Sequence, residues 1–267
     1  MILLNVLILV AIAAAAVTVM IASEDIQVRR TIRLKDAAQA QALSRAGELS
    51  AVVALRRDAL QAPQVDAYDE PWAGIAQTPI AVPQGRFAIT ILDEQARFNI
   101  NSLVRDDAIA ASRFRRIALA AGLSEGSLMS LAALIRTVGP LRNDALFHSV
   151  GLTSAEVSAL GRTIAYLPPE ARLNLNTVDA DLLGILVEDP SSVRAFMALR
   201  SAKGRVSQAD LERFGFSGLG GLTSSHFSLT TTVTVGEVTQ VTHSRIQRRT
   251  SPLGVQATVT ARKRVSP

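Results

Sequence analysis

The side chains best suited to chemistry are few in this chain and lie far apart. His148, His226 and His243 are its three histidines, and none stands one helical turn from another ligand type. His226 and His243 fall on predicted strands, where a surface or core role is expected. The absence of Cys excludes disulfides, thiolate metal sites and cysteine catalysis. No Gly-x-Ser-x-Gly, Walker loop or His-Glu-x-x-His run occurs. The glycine-rich stretch 215–221 precedes a strand, so it cannot set a phosphate on a helix N-terminus. Asp106 and Asp107 are adjacent at a predicted helix start, where they complement the helix dipole. These readings predict a protein that is not an enzyme and has no cofactor.

Asparagine is the polar residue with a pattern. Arg97-Phe-Asn-Ile-Asn-Ser102 and Arg172-Leu-Asn-Leu-Asn-Thr177 each put two Asn residues two apart, just ahead of a helix. In an extended segment residues two apart share a face. Asn99 with Asn101, and Asn174 with Asn176, are thus expected to bond neighbouring backbone. Phe98, Ile100, Leu173 and Leu175 would then face the core, with Ser102 and Thr177 as N-caps of the following helices. The expected role is structural turn chemistry, not ligand binding.

The elements that position these motifs begin with an uncharged stretch, Met1 to Ser23, of Leu, Ile, Val and Ala. About 20 such residues span a bilayer core. No helix breaker follows until Pro63, apart from Gly47, so residues 1–62 are predicted to form one helix about 93 Å long. In its second half Ala38, Ala42, Leu49, Val52, Val53, Leu55 and Leu60 recur among charges, a pattern suited to lying on a domain. A Pro-rich loop with Trp72 comes next, and residues 86–93 alternate as a strand. Short helices are predicted at 106–121, 125–138, 153–166, 178–187, 190–202 and 207–214. The end of the chain returns to β structure, with Gly236-Glu237 as a type II′ hairpin turn and a last strand near Val255 to Ala261. The order strand, helices, strands implies one sheet with a helical domain inserted into it. No repeat of fixed solenoid period is visible.

At 267 residues, with 48% hydrophobic and 4% aromatic content, the chain is too apolar for a disordered one. Its 28 basic and 23 acidic residues give a net charge of +5. Arg245, Arg248, Arg249, Arg262, Lys263 and Arg264 fall in the last thirty residues, which hold no acid. Without them 22 basic face 23 acidic residues. The basic excess therefore belongs to the terminal strands, where it is expected to protect a solvated β edge.

Together these residues resemble the minor pseudopilin K family of type II secretion, the general secretion pathway protein K family. The likeness runs over the whole chain: the apolar helix, Glu70-Pro-Trp72-Ala, the strand leading into Ile91-Leu-Asp-Glu-Gln-Ala-Arg-Phe-Asn-Ile-Asn101, the helical block, Leu173-Asn-Leu-Asn-Thr177 and the closing hairpin. It implies an α+β, pilin-like fold, with a long N-terminal transmembrane helix packed on an antiparallel sheet and a large all-α domain inserted into that sheet. The implied boundaries are 1–62 for the helix (1–23 transmembrane), 63–101 for the first part of the pseudopilin domain, 102–222 for the insertion and 223–267 for the returning strands.

The resemblance also implies processing by prepilin peptidase, an inner-membrane anchor with a periplasmic C-terminal domain, and a tip position alongside the minor pseudopilins I and J. By themselves Arg29, Arg30, Arg33 and Lys35, after the span, favour the opposite orientation; pilin-like precursors overcome this with a basic leader that is later removed. Position 5 is usually Glu in pilin-like subunits, where it offsets the terminal ammonium of the subunit above. Here Asn5 is neutral, as suits a subunit with nothing above it. Some members bind calcium through acidic loops. The corresponding segment here, 136–144, has one Asp, and calcium takes six to eight oxygens, so no calcium site is expected.

A rival reading starts from residues 173–211, which also resemble the helix-hairpin-helix module of membrane-tethered DNA receptors. That module holds phosphate on the amides of a Gly-x-Gly hairpin. Here the hairpin reads Leu186-Val-Glu-Asp-Pro190, whose acids repel phosphate. No nucleic-acid partner is expected.

Overall fold

The computed structural model describes residues 2–75, 78–83, 85–105, 107–252 and 254–265. Met1 and Asp106, which figure in the expectations above, lie outside them. Helix α1 (Ile2–Gln61) is unbroken over 60 residues, as its lack of Pro allows. Residues 2–35 are exposed all round, and this part is long and apolar enough to cross a membrane.

The second half of α1 lies on a five-stranded sheet of order β1-β2-β5-β6-β7, made by β1 (Ile80–Val82), β2 (Gly85–Asp93), β5 (His226–Val235), β6 (Val238–Ser251) and β7 (Gly254–Val265). Strands β2 and β5 pair antiparallel from Gly85 with Val235 to Asp93 with Phe227, so everything between them is an insertion between two neighbouring strands. Alternation decides which face of the sheet is buried. Ile89, Ile91, Phe227, Leu229 and Ile246 pack with Ala51, Leu55, Trp72 and Ala73 in one core. The β5–β6 turn has Gly236 at φ +53°, where a Cβ would collide with Asp36 of α1.

The face that α1 buries is not the one its large apolar residues predict. Buried are Asp36, Ala40, Ser44, Gly47, Glu48, Ala51, Leu55, Asp58 and Ala59. Ala38, Ala42, Leu49, Val53 and Leu60 point to solvent; of the expected stripe only Leu55 is buried, with Val52 half-buried. Small residues let the helix approach the sheet: a methyl group on Gly47 would lie 2.8 Å from Phe87 Cζ. Polar ones then bond to it, Ser44 Oγ with Thr231 Oγ1 at 2.8 Å and Ser244 Oγ donating to Glu48 at 2.5 Å.

The inserted region holds α2 (Ala108–Ala120), α3 (Glu125–Val138), α4 (Ser154–Thr163), α5 (Ala180–Leu186), α6 (Pro190–Lys203) and α7 (Gln208–Phe214). They surround a separate core that includes Phe98, Ile100, Phe114, Leu175, Phe196 and Leu211. Helix α4 stops at Thr163, short of the expected 166. Ile164–Ala165 instead forms β4, which pairs in parallel with β3 (Phe98–Asn99). The expected caps also move. Asp107 caps α2, accepting from the amides of Ile109 and Ala110, and Asp179 caps α5, accepting from Leu182. A carboxylate closer to each helix start takes the place expected for Ser102 and Thr177.

Candidate functional site

The polar residues singled out by the sequence turn out to be fasteners. Asn101 is 1% exposed and clamps one residue of a distant loop: Leu141 N–H donates to its Oδ1 at 2.8 Å, and its Nδ2 donates to Leu141 O at 2.8 Å. Asn176 treats Val206 in the same way, accepting from its N–H at 2.7 Å and donating to its carbonyl at 3.4 Å. Within each pair the first Asn accepts from the second one's amide, Asn99 from Asn101 at 3.2 Å and Asn174 from Asn176 at 2.9 Å. Residues 97–171 and 172–223, the two halves of the inserted region, thus each carry one such Asn clamp.

Asn174 also ties the second half to the sheet domain. Its Nδ2 donates to Asp66 O at 3.0 Å and to Asp93 Oδ2 at 2.9 Å. Asp93, at the end of β2, further accepts from Thr177 Oγ1 and Ser224 Oγ, both at 2.6 Å. Complete burial pushes its pKa up to about 6, against the lowering effect of these donors. Thr177 is therefore part of the junction between the domains. Ser102, the other expected cap, donates to Asn99 O at 2.7 Å.

A second junction, unforeseen in the sequence, joins α1 to the linker and β6. Arg248 is buried, not part of a solvated edge. Its Nη1 meets Asp58 Oδ2 at 3.2 Å. Its Nη2 donates to Asp66 Oδ2 at 2.5 Å and to Ser224 O at 2.7 Å. Glu70 lies beside them, accepting from Trp72 Nε1 at 3.1 Å and from Arg205 Nη1 at 3.1 Å. Trp72, 1% exposed, meets the Phe227 ring edge-on with centroids 5.3 Å apart. Burial, then the nearby Glu70 and Asp66 carboxylates, push Asp58 up to about 7. Arg262, another of the six terminal basic residues, is also engaged, pairing with Glu48.

The carboxylates of Asp58, Asp66 and Glu70 lie within 4.8 Å of one another, the spacing of a metal site. They do not fit calcium. The Arg248 guanidinium bridges Asp58 and Asp66, Arg205 holds Glu70, and calcium takes six to eight oxygens. In the segment 136–144 the Asn143 side-chain oxygen Oδ1 accepts from the amide of Ala145, and Asp144 is the segment's one carboxylate, exposed. Phosphate fares no better at the hairpin before α6. There the carboxylate of Asp189 already accepts from the Ser191 and Ser192 amides, and Arg200 spends its Nη1 on the carbonyls of Leu175 and Val178. Arg194 is exposed.

The histidines stay in separate settings: His148 bonds Leu152 O, His226 bonds Gln95 and His243 bonds Thr230. Asn5 is exposed on α1. What remains open for another molecule on α1 is the face carrying Leu49, Val53 and Leu60, each 49–64% exposed and all on one side of the helix by its periodicity. That side lies opposite Ala40, Ala51 and Asp58, which touch the sheet domain.

No family model matches the chain. It is 25% identical to the type II secretion system protein K of Pseudomonas aeruginosa over 293 residues, which span 92% of this chain and 87% of that protein. In fold it is similar to a chain in the crystal structure of the GspK-GspI-GspJ complex of the enterotoxigenic Escherichia coli type 2 secretion system. The TM-score is 0.68 at 19% identity, over 89% of this chain and 100% of that one. The likeness to the minor pseudopilin K family of type II secretion, carried by the residues alone at the outset, is thereby shown along nearly the whole chain.

Proposed function

We propose that this protein is the minor pseudopilin that initiates and caps the tip of a type II secretion pseudopilus, and so supports protein export across the outer membrane. The observation that carries this reading is the two-faced α1. Its small and polar side is used up on the protein's own sheet. Its outward side carries Leu49, Val53 and Leu60 with the exposed Arg45 and Arg56 among them, and the same helix runs on into the membrane-length segment. Such a face is suited to packing against like helices.

The helix serves as a single-pass inner-membrane anchor, processed by prepilin peptidase, with the C-terminal domains in the periplasm. Its neighbours are the minor pseudopilins I and J, a choice supported by the similar chain that was solved in a complex of that composition. With Met1 as the first residue of the processed chain, the neutral Asn5 would suit the first position in the assembly, and the large inserted helical domain is bulk that a tip subunit can leave uncovered.

The test is co-expression of the full chain with its I and J counterparts, followed by purification in detergent. The three are expected to elute together, and deletion of this chain is expected to stop export of secreted proteins. A chain that elutes alone, with export intact after deletion, would sink the reading.

A further inference from the structure

A cleft of about 310 Å³ opens between the two halves of the helical domain. Phe98, Leu173 and Leu186 give it an apolar floor, and Arg105, Arg113 and Arg172 surround it. Two of these guanidinium groups reach the same turn. Arg113 donates to Gly218 O at 2.8 Å, and Arg172 donates to Gly220 O at 2.7 Å. Neither forms an ion pair among the described residues. Burial lowers the Arg113 pKa, Asp107 opposes that, and the neighbouring Arg172 charge lowers it further. Asp107 and Glu170 also line the cleft, so three positive groups face two negative ones.

Two like charges held together on carbonyl oxygens are short of one anion. Carboxylate matches a guanidinium in shape and can take two parallel hydrogen bonds from it. The apolar floor, and the 61% exposed Ile109 at its edge, would be wasted on a bare inorganic ion but suit the side chains flanking a carboxylate in a peptide. We infer that this cleft is a docking site for an acidic peptide segment of another protein, with a Glu or Asp carboxylate bound between Arg113 and Arg172 and an apolar neighbour on Phe98, Leu173 and Leu186. Arg105 contributes at the rim, where it is exposed and, among the described residues, only its backbone is engaged. The cleft needs no pseudopilin neighbour, so this test and the co-purification test can fail separately.

Fluorescence anisotropy of the full chain in detergent, with a labelled octapeptide of alternating Leu and Glu, tests the site against protein-free micelles. Saturable binding is expected, weakened about tenfold or more by Arg105→Glu, where a rim charge is reversed. The peptide with Gln in place of Glu is expected to bind as weakly. Arg113→Gln should act in the same direction. If that variant fails to fold, Arg105→Glu decides alone, since its exposed side chain holds no bond among the described residues. Binding indifferent to Arg105→Glu overturns the inference, as does no peptide binding at all. So does inorganic phosphate that binds the cleft while the peptide does not.

Discussion

Arg248 of β6 and Asp58 of α1 meet at 3.2 Å, with only 7% of each side chain exposed. The two residues come from opposite ends of the chain, so this contact holds the membrane helix to the sheet. The guanidinium also grips Asp66 and the carbonyls of Leu55 and Ser224. Removing it would strand buried carboxylates. Arg248→Met is therefore expected to cost about 3–5 kcal/mol, the scale for breaking a buried charge network on one side. Denaturant unfolding at pH 8, where Asp58 is ionised, checks this. Arg248→Lys should recover little, because a point charge cannot replace a fork that bonds several oxygens at once.

The same junction makes stability depend on pH. Asp58 rises from 3.8 to about 7, chiefly through burial, and Asp93 from 3.8 to about 6 for the same reason. Between pH 4 and 7 the folded state therefore holds protons that the unfolded chain has released, so raising the pH favours unfolding. Glu48 behaves in the opposite sense. Burial alone would raise its pKa, but the Arg262 and Ser244 bonds prevail and lower it, so its contribution is lost below the normal carboxyl range. Unfolding free energy measured across pH 4–8 should fall between 4 and 7. Asp58→Asn should flatten that slope; a slope unchanged in this variant would place its origin elsewhere.

The Asn clamps lead to a local prediction. Asn101→Ala removes the partners of both Leu141 backbone groups and leaves them in a buried setting. A loss of about 2–4 kcal/mol is expected from two unsatisfied groups. Hydrogen exchange should speed up in residues 97–168, while β5 and β6 keep their protection. Asn176→Ala should shift the effect to the 172–223 half, through Val206.

Local chemistry was legible in the sequence. Both Asn pairs, the strands that flank the insertion and five of the six short helices emerge nearly where turn residues and period place them, because neighbours in the chain decide these features. Distant partners decide the rest. Glu48 looks like a solvated helix charge until Ser244 and Arg262 reach it from strands some two hundred residues on. Arg248 looks like edge protection until Asp58 and Asp66 enclose it. Helix α4 ends early because Ile164–Ala165 finds Phe98–Asn99. The buried face of α1 departs from the expected one for a related reason. A sheet that comes close selects Gly47, Ala40 and Ala51 for their size, and hydrophobicity alone points to Leu49 and Leu60.

In the proposed assembly, that reversal puts folding and partner contact on opposite sides of one helix. Leu49 and Leu60 are 64% and 62% exposed, so replacing each with Lys removes little buried surface. Leu49→Lys with Leu60→Lys is expected to keep unfolding free energy within about 0.5 kcal/mol per site, as at ordinary surface positions. Co-purification with the I and J partners should nevertheless drop, because two charges would replace the leucines that the proposed helix contact buries. Gly47→Leu is the converse variant. Its side chain would meet Phe87 and Ile89, each at 3.0 Å or less from the first added carbon, and overpacking of this kind costs about 1–3 kcal/mol. It should lower stability while leaving the outward face chemically unchanged. If the Lys pair destabilises the isolated protein as much as Gly47→Leu does, the outward face belongs to the fold, and α1 has no side reserved for a partner.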